Sequence, residues 1–176
     1  MTPITHGMIG WIISQPLEKR RDRILVTAAS LLPDFDGAGA IISIDYYARY
    51  HHIFGHNIFF GLLLSLIGLK FGVERIKVLL LVFISFNSHI LGDLLGSGAG
   101  WGVPYFWPVS KTMYDFSHPF QWELDSWQNL LATAICILII ILVGLKKKRT
   151  IVEIFSVKSD ERVVAIFNRW FGKSSS

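Results

Sequence analysis

The chain has 176 residues, 52% of them hydrophobic and 17% charged, with a mean hydropathy of +0.46. That balance excludes a disordered chain, a coiled coil and an ordinary water-soluble enzyme, because a soluble domain of this length has too little interior to hide so much apolar surface. The single cysteine, Cys136, excludes a disulfide framework and a cysteine-based metal cluster. The net charge of +4 does not signal a nucleic-acid partner, because the basic residues flank apolar runs. The remaining class is an all-α, multi-pass transmembrane helical bundle.

Two short apolar pieces open the chain, residues 4–14 and 24–32. Each is too short to cross a bilayer, and together they read as a helical hairpin around Gln15-Pro16. Residues 53–69, 78–95 and 127–145 follow as full or near-full spans, since a core about 30 Å thick needs about 20 helical residues. Residues 97–127 make a long loop rich in glycine and aromatics, expected at the membrane surface with Trp101, Trp107 and Trp122 as interface anchors. A loop of that length is more often functional than idle. Cys136, midway along an apolar span, reads as a packing residue. Near the end, Val163, Phe167, Trp170 and Phe171 recur at helical spacing opposite Arg162, Arg169 and Lys173, which predicts a C-terminal amphipathic helix on the membrane surface. The expected division is a membrane-embedded domain over residues 1–149 and a cytoplasmic amphipathic tail over 150–176.

Charge orients the bundle. Of 17 Lys and Arg, all but Arg49 and Lys111 fall on one face if the elements alternate. The positive-inside rule makes that face cytoplasmic in a cytoplasmic (inner) membrane, with the N-terminus outside and the C-terminus inside. The start lacks a basic n-region, so no cleavable signal is expected.

This topology, set from Lys and Arg alone, gathers all six histidines at the external face. His6 starts the first helix, Asp34 and Asp36 end the second, and His51, His52 and His56 precede or open the third. His89 and Asp93 lie near the outer end of the fourth, and His118 is in the loop. His89 and Asp93 are four residues apart and share a helical face with Ser85, Gly92 and Gly96, which leaves room for further ligands. Ionisable groups inside a span usually face a bundle interior or a water-filled cavity. A mixed imidazole and carboxylate set suits a divalent metal, with zinc favoured over manganese, as one ion or a carboxylate-bridged pair. The bland alternatives are interhelical hydrogen bonding by His89 and Asp93 and a plain helix stop at Pro33-Asp34-Phe35-Asp36-Gly37.

The same residues carry a family resemblance. Thr5-His6, Leu32-Pro33-Asp34-Phe35-Asp36, His51-His52-Ile53-Phe54-Gly55-His56-Asn57, Ser88-His89-Ile90-Leu91-Gly92-Asp93 and the segment 98–108 occur in that order. Together they resemble the bacterial and archaeal inner-membrane family of metal-dependent hydrolases, the YdjM-like proteins, over roughly residues 2–130. The order His, Asp, His, His-x-x-x-Asp is also similar to the zinc-dependent phospholipase C and nuclease superfamily. The resemblance implies a His/Asp metal site and hydrolase activity, with ligand positions at His6, Asp34, His51, His56, His89 and Asp93. Here His52, Gly55 and Asn57 replace an Arg, a Thr and a Ser of the family pattern, and losing that Arg removes a planar anion-binding fork.

The leading expectation is therefore a metal-dependent hydrolase acting at the outer face on a phosphoester of a membrane lipid or lipid-linked substrate. Asp36 or His51 would serve as general base or orienting group, and His118 as leaving-group acid. One alternative is a metal or proton transporter, which the apolar inner halves of the spans disfavour. Another is a non-catalytic membrane protein that keeps a structural metal.

Overall fold

In the computed structural model the described residues are 1–41, 43–45, 47, 51–116 and 120–171. His118, Arg49 and Lys173 lie outside them. Helix α1 spans Pro3–Ile13 and starts on a Thr2 cap, with Pro3 in the first turn where its missing N–H costs nothing. Helix α2, Arg20–Ala29, folds back against it. The connecting turn is held by the Arg23 guanidinium, which donates to the carbonyls of Leu17 at 3.0 Å and Glu18 at 2.9 Å. The hairpin therefore forms, and its second helix starts at Arg20, before the apolar run at 24–32. A 3-10 segment, Leu32–Ile41, continues from α2 at a bend of 53°.

Helix α3 spans Ile58–Phe71, α4 Arg75–Gly96 and α5 Trp127–Lys147. Among the described residues, α4 and α5 are long and apolar enough to cross a membrane, and the bent pair of α2 with the 3-10 segment would make a third span if taken as one. Helix α3 is shorter than the run at 53–69 suggested. The Asn57 side chain caps it by accepting from Phe60 N at 3.0 Å, and residues before the cap are turn. At 14 residues the helix is about 21 Å long, short of a full span.

Packing relies on small residues. On α3, Gly61, Leu64, Ser65 and Gly68 form one buried stripe. A Cβ at Gly61 would lie 2.5 Å from the Phe86 ring, so α3 and α4 touch backbone to side chain there. At Gly10 of α1 a Cβ would meet the hydroxyls of Ser30 and Ser85, which marks the crossing of α1, α2 and α4. Val78, Val82, Phe86 and Ile90 run down α4 into the main core with Val26, Ala29 and Leu64. Cys136 packs with Met8, Trp11 and Ile140 between α1 and α5, as a packing residue should.

The end of the bundle opposite the histidines is tied by a buried ion pair. Arg23 reaches Glu153 through Nε–Oε1 at 2.6 Å and Nη2–Oε2 at 2.5 Å, and Trp11 Nε1 donates to the same carboxylate at 3.0 Å. Residues 151–154 are thus drawn into the helical body. Helix α6, Val157–Phe171, follows. Its Val164 is buried and Phe167 sits over Gly144, while Trp170 and Phe171 are exposed. The loop after α4 is tied down more than a surface segment need be. Val103 and Tyr114 form a β-bridge, Ile58 N donates to Tyr105 O at 2.8 Å, and Trp122 N donates to Leu95 O at 2.8 Å.

Candidate metal centre

The stripe His89, Asp93, Ser97 on the last turns of α4 forms the base of the site, because residues four apart stack on one helical face. Asp93 stands at its centre. Its Oδ1 accepts from Ser97 Oγ at 3.0 Å, from His6 Nε2 of α1 at 3.0 Å and from the Met1 ammonium at 2.8 Å. Its Oδ2 lies 2.8 Å from His89 Nε2 and 3.4 Å from His56 Nε2. Asp34, from the 3-10 segment, brings Oδ1 to 3.6 Å from His89 Nε2. The ligand atoms of Asp34, His56, His89 and Asp93 all lie within 4.8 Å of one another, so these four side chains could hold a metal ion.

Hydrogen bonding on the far sides of the two imidazoles fixes what they present to the centre. His89 Nδ1 is 2.8 Å from the carbonyl oxygen of Ser30, which can only accept, so that nitrogen carries the proton and donates. His56 Nδ1 faces Asp36 Oδ2 at 3.1 Å in the same sense. In the neutral rings the Nε2 atoms are then lone-pair donors, and they face each other at 3.1 Å. Asp93 Oδ2 adds a third electron-rich atom with no hydrogen-bond partner of its own, and Asp34 Oδ2 a fourth. Electron-rich atoms packed so closely repel unless a ring proton or a metal ion is shared among them. This is the arrangement of metal-binding histidines, whose outer N–H is held by a carbonyl or carboxylate.

Around this group runs a second layer. Asp36 accepts from His51 Nδ1 at 2.7 Å, from His56 Nδ1 and from the Gly55 amide at 3.2 Å, so one carboxylate orients two imidazoles. His52 is buried with a left-handed φ of 70°. Its Nε2 comes to 4.0 Å from Asp93 Oδ2. Burial pushes its imidazole down to about 3, so His52 is neutral near neutral pH. Trp101 packs edge-on against His51 and His52, and Tyr47 stacks on His51. These rings wall a cavity of about 550 Å³, with Asp34, His51, His52, Asp93 and Ser97 on its surface.

All of the candidate residues within the described chain converge here, but in two layers. Asp34, His56, His89 and Asp93 form the inner group. His6 and His51 stand one step out, each with a ring nitrogen committed to a carboxylate. Asp36 joins them as an orienting carboxylate. Three contributors were not singled out from the residues. Ser97 continues the i+4 stripe of α4 and was findable from it. Trp101, expected as an interface anchor, lines the site wall. The Ser30 carbonyl has no sequence signal, since any residue supplies a carbonyl.

A family model described as YdjM inner membrane protein matches residues 1–158. The chain belongs to the YdjM inner membrane protein family. The match takes in every residue of the two layers, and the ion pair of Arg23 with Glu153 as well. The YdjM family is one of inner membrane proteins, which agrees with the apolar helices α4 and α5. No curated protein and no solved structure matches the chain.

Proposed function

We propose that this YdjM-family protein is a metal-dependent hydrolase that cleaves a phosphoester of a membrane lipid or lipid-linked substrate at the outer face of the inner membrane. The observation that carries the reading is the set of electron-rich atoms from His56, His89, Asp93 and Asp34, a group in which the two histidines are fully buried and Asp34 and Asp93 face the cavity. Two imidazoles and two carboxylates suit zinc, with manganese as the alternative. When bound, such an ion polarises a phosphoryl oxygen and lowers the pKa of an attacking water.

The chain's own residues divide the remaining work. His51 lines the cavity and donates its Nδ1–H to Asp36 as a hydrogen bond, which leaves Nε2 as the ring's basic nitrogen. This is the pairing of a general base with an orienting carboxylate, and we assign His51 and Asp36 those parts. His6 and Ser97 hold Asp93 in place. His118 would protonate the leaving group. The orientation rests on the asymmetry of Lys and Arg, which puts the basic end of the bundle inside and the histidine end outside.

A transport role gains no support from the path below the site. Ser85, Thr27 and Ser30 are buried there, but each hydroxyl donates to a helix carbonyl and not to the next hydroxyl. The test is metal analysis of purified protein combined with a screen of phospholipid phosphoesters. Bound metal with turnover that Asp93→Asn abolishes supports the proposal. Bound metal without turnover on any phosphoester leaves a structural site and overturns the hydrolase reading.

A further inference from the structure

Pro3 lines two cavities: the polar one above the metal group and an apolar one of about 500 Å³. The apolar cavity is a groove between α1 and α2, lined also by Ile151, Val152, Ile154 and Phe155. Ile4, Gly7 and Met8 line it from one face of α1, and Ile24, Ala28 and Leu31 from one face of α2. The only polar side chain in its wall is Thr27, whose hydroxyl already donates to Arg23 O at 2.8 Å. Nothing in the wall is left to bond a polar ligand, so hydrocarbon is the occupant that fits.

Its dimensions suit one leaflet of a bilayer. Helix α1 has 11 residues and is therefore about 16 Å long, half of a hydrocarbon core about 30 Å thick. The groove starts beside the metal cavity at Pro3 and runs toward Ile24 and Ile154 at the basic end. Gly7 keeps its floor open: a Cβ there would already stand 3.3 Å from Leu31 Cδ2, and anything longer would fill the space. We infer that this groove seats one acyl chain of a membrane glycerophospholipid whose phosphate ester reaches the metal cavity past Pro3. The fate of that ester rests on the hydrolase reading; the seating of the chain does not.

The experiment uses the full protein in phosphatidylglycerol vesicles doped with a phosphatidylglycerol that bears a photoreactive diazirine midway along one acyl chain. After irradiation, residues 24–31 should carry about tenfold more label than the exposed α5 face around Leu131 and Leu138. Ala28→Phe should remove that excess and leave α5 labelling unchanged. Ile4→Trp, at a position already 75% exposed and so safe for folding, should reduce it as well. In parallel, both variants should lower turnover of long-chain phospholipid and spare a water-soluble nitrophenyl phosphodiester. Uniform labelling overturns the inference, and so does groove labelling below that of α5, the result if a second copy of the chain covers it. Excess labelling with no turnover of either substrate sustains the groove and overturns the hydrolase. Turnover of both substrates with uniform labelling does the reverse.

Discussion

The Nε2 atoms of His56 and His89 stand 3.1 Å apart although the residues are 33 positions apart in the chain. Each ring is turned to that position from behind, His89 by the Ser30 carbonyl and His56 by the Asp36 carboxylate. The contact joins the turn before α3 to the last part of α4, and the neighbouring Asp93 ties in α1 through His6. Three separate elements are thus held at one point by groups that favour a shared cation.

Removing an inner ligand should empty the site without unfolding the bundle. His89→Ala and Asp93→Asn should each lower divalent-metal content from near stoichiometric to background, while circular dichroism stays helical. Elemental analysis of detergent-purified protein checks this, and full metal content in both variants would refute the ligand assignment.

The second layer should act more gently. Asp36→Asn keeps the shape of the side chain but weakens its hold on His51 and His56. Metal affinity should fall about 10–100-fold, the range for orienting partners of ligating histidines. A competition titration with a chromogenic chelator gives the number, and an unchanged affinity would remove Asp36 from the site.

Stability at the other end should be separable from metal binding. Glu153→Ala strands Arg23, a buried guanidinium whose side chain is 5% exposed. Deleting one partner of a buried pair costs about 3–5 kcal/mol. A lowered thermal midpoint with unchanged metal content per folded chain is expected.

Orientation follows from labelling. In a Cys136→Ala background, Lys111→Cys should react with an impermeant thiol reagent applied to intact cells, and Glu161→Cys should not. The reverse pattern would place the metal centre on the cytoplasmic side.

Much of this was legible in the chain because a membrane restricts where charge can go. The Lys and Arg asymmetry and the positions of His89 and Asp93 were enough to bring His6, Asp34, His56 and Asp93 to one face. The layering was not legible, because it depends on which ring nitrogen finds which acceptor. The Ser30 carbonyl that sets His89 leaves no trace in residue identity. Helix α3 also starts later than its hydropathy suggests, since apolar residues such as Ile53 and Phe54 serve a turn that presents His52 and His56, with the cap at Asn57. Glu153 was hidden for a different reason. A carboxylate in a basic tail looks solvated until its buried partner, Arg23, is placed beside it.

X-ray absorption at the metal edge of zinc-loaded protein probes the shared cation most directly. Two imidazole nitrogens at about 2.0–2.1 Å with carboxylate oxygens at about 2.0–2.2 Å are expected, and His56→Ala should remove one imidazole shell. A spectrum without imidazole scattering, or a protein that binds no zinc while fully folded, would contradict a metal centre built on His56 and His89.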